Sequence, residues 1–192
     1  YANLYTVPGN RYQYSNLGYG MLDYVIEQQS GKSYTEFMHD EVFAPLGLDH
    51  MSIDIPKGME DQTATRYAGN GDALPFYTFD HPGASAVFAS AHDLVRFGMF
   101  HVKTPVDGQS AILSDKAIDE MQQPTAETEP GRGRSGYGVG WGTARNRRGY
   151  TLVSHTGGMP GVATILLMVP SEKIVVVALA NGPTNLPGNL AH

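Results

Sequence analysis

The spacing of apolar residues predicts a helix near the start of the chain. Apolar positions recur every three to four residues from Leu17 to Val25, which is the helical period. Ser15 or Asn16 can cap the start of this helix, and Gly31 stands where a left-handed cap would end it. The pattern therefore places a short polar triplet at the mouth of an amphipathic helix.

Serine residues mark the starts of three more predicted helices. Ser33 opens a capping box and a helix that Pro45 ends, while Ser90 and Ser114 each precede a stretch with helical periodicity. Residues 45–89 are rich in glycine, proline and aromatic residues and show no sustained period. We expect this stretch to form long loops.

Short apolar runs replace the helical period after residue 135. They predict strands at residues 137–144, 150–156, 162–169 and 174–180. Since the last two runs are apolar at nearly every position, both faces of the hairpin that they form should be covered. Helices followed by an antiparallel sheet make the predicted fold class α+β. We expect a mainly helical region at residues 1–135 and the sheet strands at residues 136–192, both within one domain.

Composition narrows the class of protein. The 192 residues are 41% hydrophobic and 17% charged, which is typical of a globular domain. A net charge of −6 without a basic block argues against a nucleic-acid partner. No apolar run approaches the roughly 18 residues that cross a bilayer. The chain has no cysteine, so disulfides and thiolate metal sites are excluded.

Four blocks of the sequence, in this order, resemble the serine β-lactamase-like family. They read PGNRYQYSNLGYGMLDYVIEQQSGKSYTEFMHDEVFAPLGLDHMSI, GASAVFASAHDLVRFGMF, YGVGWG and VSHTGGMPGVATILLMVPSEKIVVVALANG. The family includes class C β-lactamases, D-alanyl-D-alanine carboxypeptidases, D-aminopeptidases and related esterases. The resemblance implies a β-lactamase/transpeptidase-like fold, a small-molecule or short-peptide substrate and no cofactor.

The triplet at the helix mouth matches the second of three motifs that converge on one cleft in this family. In the motif Tyr-x-Asn, the resemblance implies that Tyr14 moves a proton and that Asn16 orients the substrate. Residues 1–3 also read Tyr-x-Asn but precede no helical pattern, so we interpret them as a chance match. The structural alternative is that Tyr14 packs at the helix mouth and Asn16 caps the helix.

The third family motif is Lys-Thr-Gly or its variant His-Thr-Gly, and His155, Thr156 and Gly157 match the variant. The resemblance implies that His155 is a catalytic residue, that Thr156 and Gly157 line the substrate and that the N–H of Gly158 contributes to an oxyanion hole. The structural alternative is a polar residue at a strand end before a glycine turn. None of the seven histidines forms a His-x-His or His-x-x-x-His pair, so we expect no metal site.

The first family motif, Ser-x-x-Lys with the nucleophile, does not occur in the 192 residues, because none of the five lysines has a serine three positions before it. Two hypotheses explain this. In the first, the chain is a fragment, truncated at both ends, of a serine hydrolase and is inactive by itself. In the second, it is a non-catalytic pseudoenzyme or binding relative.

The histidine of the third motif indicates which class of substrate the protein takes. Lysine is a permanent cation that can hold a substrate carboxylate, whereas histidine is largely neutral at pH 7. We therefore favour a D-amino-acid peptidase or an esterase over a β-lactamase. The resemblance and the absence of cysteine favour an exported or periplasmic protein. The sequence does not indicate an oligomeric state.

Overall fold

The structure, a computed structural model, describes residues 6–7, 9, 11–55, 58–85, 87–128 and 135–184. Within these ranges the α-helices are α1 (Asn16–Ser30), α2 (Tyr34–Met38), α3 (Pro82–Ser85), α4 (Ala91–His101) and α5 (Asp115–Gln122). The strands are β1 (Met51–Ser52), β2 (Phe88–Ala89), β3 (Ala126–Glu127), β4 (Ser135–Tyr137), β5 (Gly142–Arg145), β6 (Thr151–Met159), β7 (Val162–Val169) and β8 (Ile174–Ala180). A π-helix (His39–Phe43) and two 3-10 turns (Glu60–Gln62 and Pro170–Glu172) complete the regular elements.

The helices begin where their caps predict. Ser15 is the N-cap of α1, and its Oγ accepts a hydrogen bond of 3.1 Å from the N–H of Gly18. Gly31 ends the same helix with a φ of 72°, and its N–H donates to Glu27 O. Such a left-handed backbone suits glycine because it has no Cβ. The second predicted helix is confirmed as two segments, since α2 continues into the π-helix and brings Phe43 into the core.

Strands β3 to β8 form a six-stranded antiparallel sheet in which each strand pairs with its sequence neighbour. The sheet therefore already includes β3 and the first residue of β4, ahead of residue 136. The division of the chain into helical and sheet regions of one domain stays a prediction. The order of helices followed by an antiparallel sheet confirms the α+β class.

The prediction of a single strand over residues 137–144 is wrong. The chain turns between β4 and β5, where Gly140 has a φ of 77° and Gly138 N–H donates to Trp141 O over 2.8 Å. A Cβ at Gly138 would collide with the carbonyl oxygen of Met121. The two glycines thus allow a tight hairpin against the end of α5, which the apolar pattern of the run does not reveal.

Helix α4 lies between two hydrophobic clusters. One side contributes Phe100 to a cluster within the helical region, and the other packs on a cluster of the sheet. The first cluster contains Phe43, Leu46, Leu48, Ile53, Phe100 and Ile118, and the second contains Val102, Trp141, Val153, Leu166 and Met168. Gly98 permits the close approach of α4 to β8, since a Cβ there would lie 2.5 Å from Val175 Cγ1.

The two faces of β8 have different surroundings. Val175 and Val177 pack against the sheet cluster, whereas Ile174 and Val176 alternate with them and are 48% and 37% exposed. The expectation that both faces of the last hairpin are covered therefore holds for one face of β8 only. Among the described residues, no helix is both long enough and apolar enough to cross a membrane.

Candidate active site

The mouth of α1 and strand β6 meet through aromatic rings. The ring of Tyr14 lies 6.2 Å from the ring of His155, measured between centroids, and 6.3 Å from the ring of Tyr137 in an edge-on arrangement. The fold thus brings the second and third sequence motifs together, as the family resemblance predicts. The chance match at residues 1–3 lies outside the described residues.

The backbone before α1 determines which side chain of the triplet caps the helix and which side chains are left for the site. Ser15 has an extended backbone and caps the helix, so Asn16 becomes its first residue and is not needed as the cap. Tyr14 is 47% exposed, so its ring is not buried in the core. The capping alternative for Asn16 is therefore weakened, because Ser15 performs the capping, whereas the ring contacts of Tyr14 fit both packing and catalysis.

Among the described residues, no strand pairs with one edge of β6 next to His155. Strand β5 pairs with β6 from Thr151 to Ser154, while β7 pairs with it as far as Met159. Residues 155–159 are therefore hydrogen-bonded to a strand on one side only within the described part of the chain. A free strand edge offers backbone donors and acceptors to an extended ligand, as in the binding of peptides by strand addition.

The two glycines after Thr156 are not equivalent. Both residues are exposed on β6, but a Cβ at Gly157 would collide with Oγ1 of Thr164 on β7. A Cβ at Gly158 would have no heavy atom within 4 Å. A side chain at position 157 would therefore require Thr164 to move, whereas Gly158 leaves open space among the described residues.

Tyr137 is a site residue to which the sequence motifs assign no role. Its Oη lies 3.1 Å from Nε2 of His155, and the Tyr12 ring packs on it with centroids 5.2 Å apart. Partial burial, followed by the neighbouring hydroxyls of Tyr19, Tyr14 and Tyr12, raises the pKa of Tyr137 to about 12. The block YGVGWG contains this residue, and an aromatic residue before a glycine-rich turn was the signal available.

Other features of the molecule lie away from these rings. A cavity of about 460 Å3 is lined by the segment from Gln122 to Glu127 and by β4 and β5, and it includes neither Tyr14 nor His155. Within the described ranges, no group of three histidine, aspartate or glutamate side chains could hold a metal ion. The candidate site is the surface where the mouth of α1 meets β6 next to His155, as the ring contacts and the strand pairing define it.

The arrangement is suited to proton transfer beside an extended ligand. Tyrosine hydroxyls and imidazole nitrogens can both donate and accept hydrogen bonds, and both occur as general acids and bases. The free edge of β6 could align a peptide or ester next to them. These elements are what a hydrolase supplies around its nucleophile.

The chain is similar to known proteins in sequence and in fold. The sequence profile of the Beta-lactamase family matches residues 2–191. The unguisins hydrolase ungD' of Aspergillus campestris is 28% identical over 188 residues, which cover 91% of this chain and 34% of that protein. The octameric penicillin-binding protein homologue from Pyrococcus abyssi superposes with a TM-score of 0.78 at 28% identity, over 92% of this chain and 40% of that one.

A further solved structure shares the fold at lower identity. The D-alanine carboxypeptidase AmpC from Burkholderia cenocepacia superposes with a TM-score of 0.76 at 19% identity, over 93% of this chain and 58% of that one. The chain thus spans 34% to 58% of the length of these three proteins. Because the family profile covers nearly all of it and the fold is shared, the chain belongs to the Beta-lactamase family.

Proposed function

We propose that the full-length protein containing this chain is a serine hydrolase that cleaves peptide, amide or ester bonds through an acyl-enzyme. The observation that carries the proposal is the placement of Tyr14 beside His155 at the free edge of β6. A D-amino-acid peptidase or an esterase is favoured over a β-lactamase. The substrate is a small molecule or a short peptide that lies along the strand edge.

The nucleophile, Tyr14, Asn16 and Gly158 have separate roles in this proposal. The nucleophilic serine belongs to a Ser-x-x-Lys motif of the full-length protein and attacks the substrate carbonyl. Tyr14 moves the proton between nucleophile and leaving group, and Asn16 orients the substrate through its amide. The N–H of Gly158 helps to bind the oxyanion, a contribution of roughly 3 kcal/mol per donor in other hydrolases.

The surroundings of His155 support the preference for a peptidase or an esterase. Its Nε2 is hydrogen-bonded to the Tyr137 hydroxyl, and the neighbouring ring contacts are made by tyrosines. Tyrosine rings provide apolar area and hydrogen bonds without a fixed positive charge. Because these tyrosines carry no positive charge, a substrate that needs no carboxylate at this position suits the site better than an anionic antibiotic does.

The second candidate function is a non-catalytic relative that binds a similar ligand. The 192 residues contain no Ser-x-x-Lys motif, which is expected of this candidate and equally of a serine hydrolase whose nucleophile lies in another part of the full-length protein. Under this proposal the site would hold an extended ligand on β6 without cleaving it. The two candidates differ in whether the full-length protein forms a covalent adduct.

Labelling and turnover together test the proposed function. The full-length protein is incubated with a fluorophosphonate or a fluorescent penicillin, and the adduct is located by mass spectrometry. We expect one labelled serine in the full-length protein and none in the 192-residue chain. The same protein is then assayed with an activated ester, with and without Tyr14→Phe.

Tyr14→Phe keeps the ring and removes one oxygen from the site. General acid–base groups contribute about 100- to 10,000-fold to rates, so turnover should fall by that order while the melting temperature hardly changes. Tyr24→Phe is the matched control, since Tyr24 is an exposed tyrosine further along α1. Equal turnover in the wild type and the Tyr14→Phe variant would refute the role of Tyr14. A full-length protein without any labelled serine would instead support the binding relative.

A further inference from the structure

Tyr137 and His155 form a hydrogen-bonded pair that joins two strands of the sheet. Oη of Tyr137 lies 3.1 Å from Nε2 of His155, and the two rings meet edge-on with centroids 6.3 Å apart. Their strands, β4 and β6, are not neighbours, because β5 pairs with both. The tyrosine therefore reaches across the end of β5 to hold the histidine ring.

The direction of the hydrogen bond depends on which ring nitrogen of His155 carries the hydrogen. Partial burial and the three neighbouring tyrosines raise the pKa of Tyr137 to about 12, so its hydroxyl keeps its proton. Within the described part of the chain, this hydroxyl makes no hydrogen bond other than the one to His155. Such a hydroxyl donates to Nε2 when His155 carries its hydrogen on Nδ1, and it accepts from Nε2 when the hydrogen is on Nε2. A neutral imidazole that accepts at Nε2 carries its own hydrogen on Nδ1.

The backbone of Tyr137 holds the hydroxyl in place. Its carbonyl oxygen accepts hydrogen bonds from the N–H and the Oγ1 of Thr125, over 2.9 Å and 3.2 Å. The residue also pairs with Ala126 on β3 and with Gly142 on β5. A side chain on a strand that is paired on both sides is a rigid support for a neighbouring group.

We propose that Tyr137 is a positioning residue, which donates its hydroxyl hydrogen to Nε2 of His155, so selects the Nδ1–H tautomer, and fixes the orientation of the ring beside Tyr14. The proposal rests on the proposed function, because a fixed imidazole matters only if His155 takes part in turnover or substrate binding. Tyr137 itself acts through His155 and not on the substrate. Residues that orient an imidazole in metal sites contribute about 10- to 100-fold, and we expect an effect of that order here.

The experiment compares Tyr137→Phe with Tyr12→Phe in the full-length protein. Both variants remove one hydroxyl from the same ring cluster, since the Tyr12 ring packs on Tyr137. Of these two hydroxyl groups, the one on Tyr137 is hydrogen-bonded to His155. Nitrogen-15 NMR of labelled histidine reports which ring nitrogen carries the hydrogen, and the steady-state rate of activated-ester hydrolysis is measured in parallel.

In the wild type and in Tyr12→Phe, we expect Nε2 of His155 to give the resonance of an accepting nitrogen. In Tyr137→Phe, the Nε2–H tautomer should become populated and turnover should fall about 10- to 100-fold at an unchanged melting temperature. The same tautomer in all three proteins would overturn the proposal, as would an equal loss of turnover in both variants.

The NMR measurement separates this proposal from the proposed function. A full-length protein that hydrolyses nothing, but whose His155 tautomer depends on Tyr137, would contradict the hydrolase and support the positioning of the imidazole. If the full-length protein hydrolyses the ester, and Tyr137→Phe changes neither the His155 tautomer nor the rate, the hydrolase is supported and the role of Tyr137 is refuted.

Discussion

Gly157 and Gly158 are neighbours on β6, yet a methyl group would meet different surroundings at the two positions. At Gly158 it would point into open space, so Gly158→Ala should change the free energy of unfolding by less than about 0.5 kcal/mol. If the substrate lies along this edge, the methyl group displaces it, and turnover in the full-length protein should fall on the order of 10- to 100-fold. Urea unfolding and an ester assay measure the two effects.

Gly157→Ala is the matched control on the same strand. Its methyl group would collide with Thr164 Oγ1, so this variant should lose stability, and Thr164→Ala in the same chain should restore it. Full turnover in Gly158→Ala would show that no substrate approaches Gly158.

The imidazole of His101 is buried among aromatic rings. We expect its burial to make the free energy of unfolding depend on pH. The centroid of its ring lies 4.6 Å from that of Phe97 and 5.1 Å from that of Trp141. Its Nδ1 has no hydrogen-bond partner in the described structure. Burial lowers the pKa of His101 from 6.5 to about 4. Between these pH values the unfolded chain binds a proton that the folded chain does not.

Stability from this group is therefore fully present above pH 6.5 and is lost as the pH falls to about 4. The shift of the His101 pKa corresponds to roughly 3 kcal/mol. Urea unfolding at a series of pH values should show this loss, and His101→Phe should flatten the curve in that window. An equally steep curve in His101→Phe would assign the dependence to other groups.

At the scale of the elements, the contact between α4 and β8 depends on one glycine. Alanine at position 98 would favour the helix by about 1 kcal/mol through its propensity. However, its Cβ would lie 2.5 Å from Val175 Cγ1, and overpacking costs typically 1–3 kcal/mol. We expect Gly98→Ala to destabilise the protein on balance, as measured by thermal or urea unfolding.

The double variant Gly98→Ala/Val175→Ala separates the two effects. Removing the valine methyl groups makes room for the new Cβ, so adding Gly98→Ala to Val175→Ala should cost nothing or increase stability. If Gly98→Ala is as destabilising in the Val175→Ala background as in the wild type, the contact with β8 is not the cause.

At the scale of the whole molecule, two apolar surfaces are exposed. One lies on α1, where Leu17, Met21 and Val25 are 67%, 61% and 48% exposed, and the other is the outer face of β8. Contiguous apolar surface of this kind is uncommon on soluble monomers. We propose that further parts of the full-length protein cover both, because the chain spans 34% of the relative from Aspergillus campestris.

The 192-residue chain by itself should therefore bind a hydrophobic dye or aggregate, and the full-length protein should do neither. Fluorescence of an anilinonaphthalene dye and sedimentation velocity compare the two proteins at equal concentration. A soluble monomer that binds no dye and melts in one sharp transition would show that these surfaces need no cover.

Local signals predicted the elements that depend on a few neighbouring residues. The start of α1, its end at Gly31 and the bounds of β7 and β8 follow from caps, turns and apolar runs, whose energetics involve only nearby groups. The hairpin between β4 and β5 was not predicted, because the apolar run across it is typical of a single strand. The turn depends on the close contact of Gly138 with the end of α5, which is distant in the sequence pattern.

The sequence by itself determined the family, the fold class and the motif residues Tyr14 and His155, since residue order and spacing carry this information. Only the tertiary structure brought their rings within 6.2 Å, ended the β5–β6 pairing at Ser154 and placed the Tyr137 hydroxyl on His155. It also decided that His101 is buried and that Ser15, not Asn16, caps α1. The site contacts and the burial of His101 depend on strand register and on the packing of α4 against the sheet, which join residues far apart in the chain. The choice of cap depends on the local backbone geometry, which the residue types alone left open.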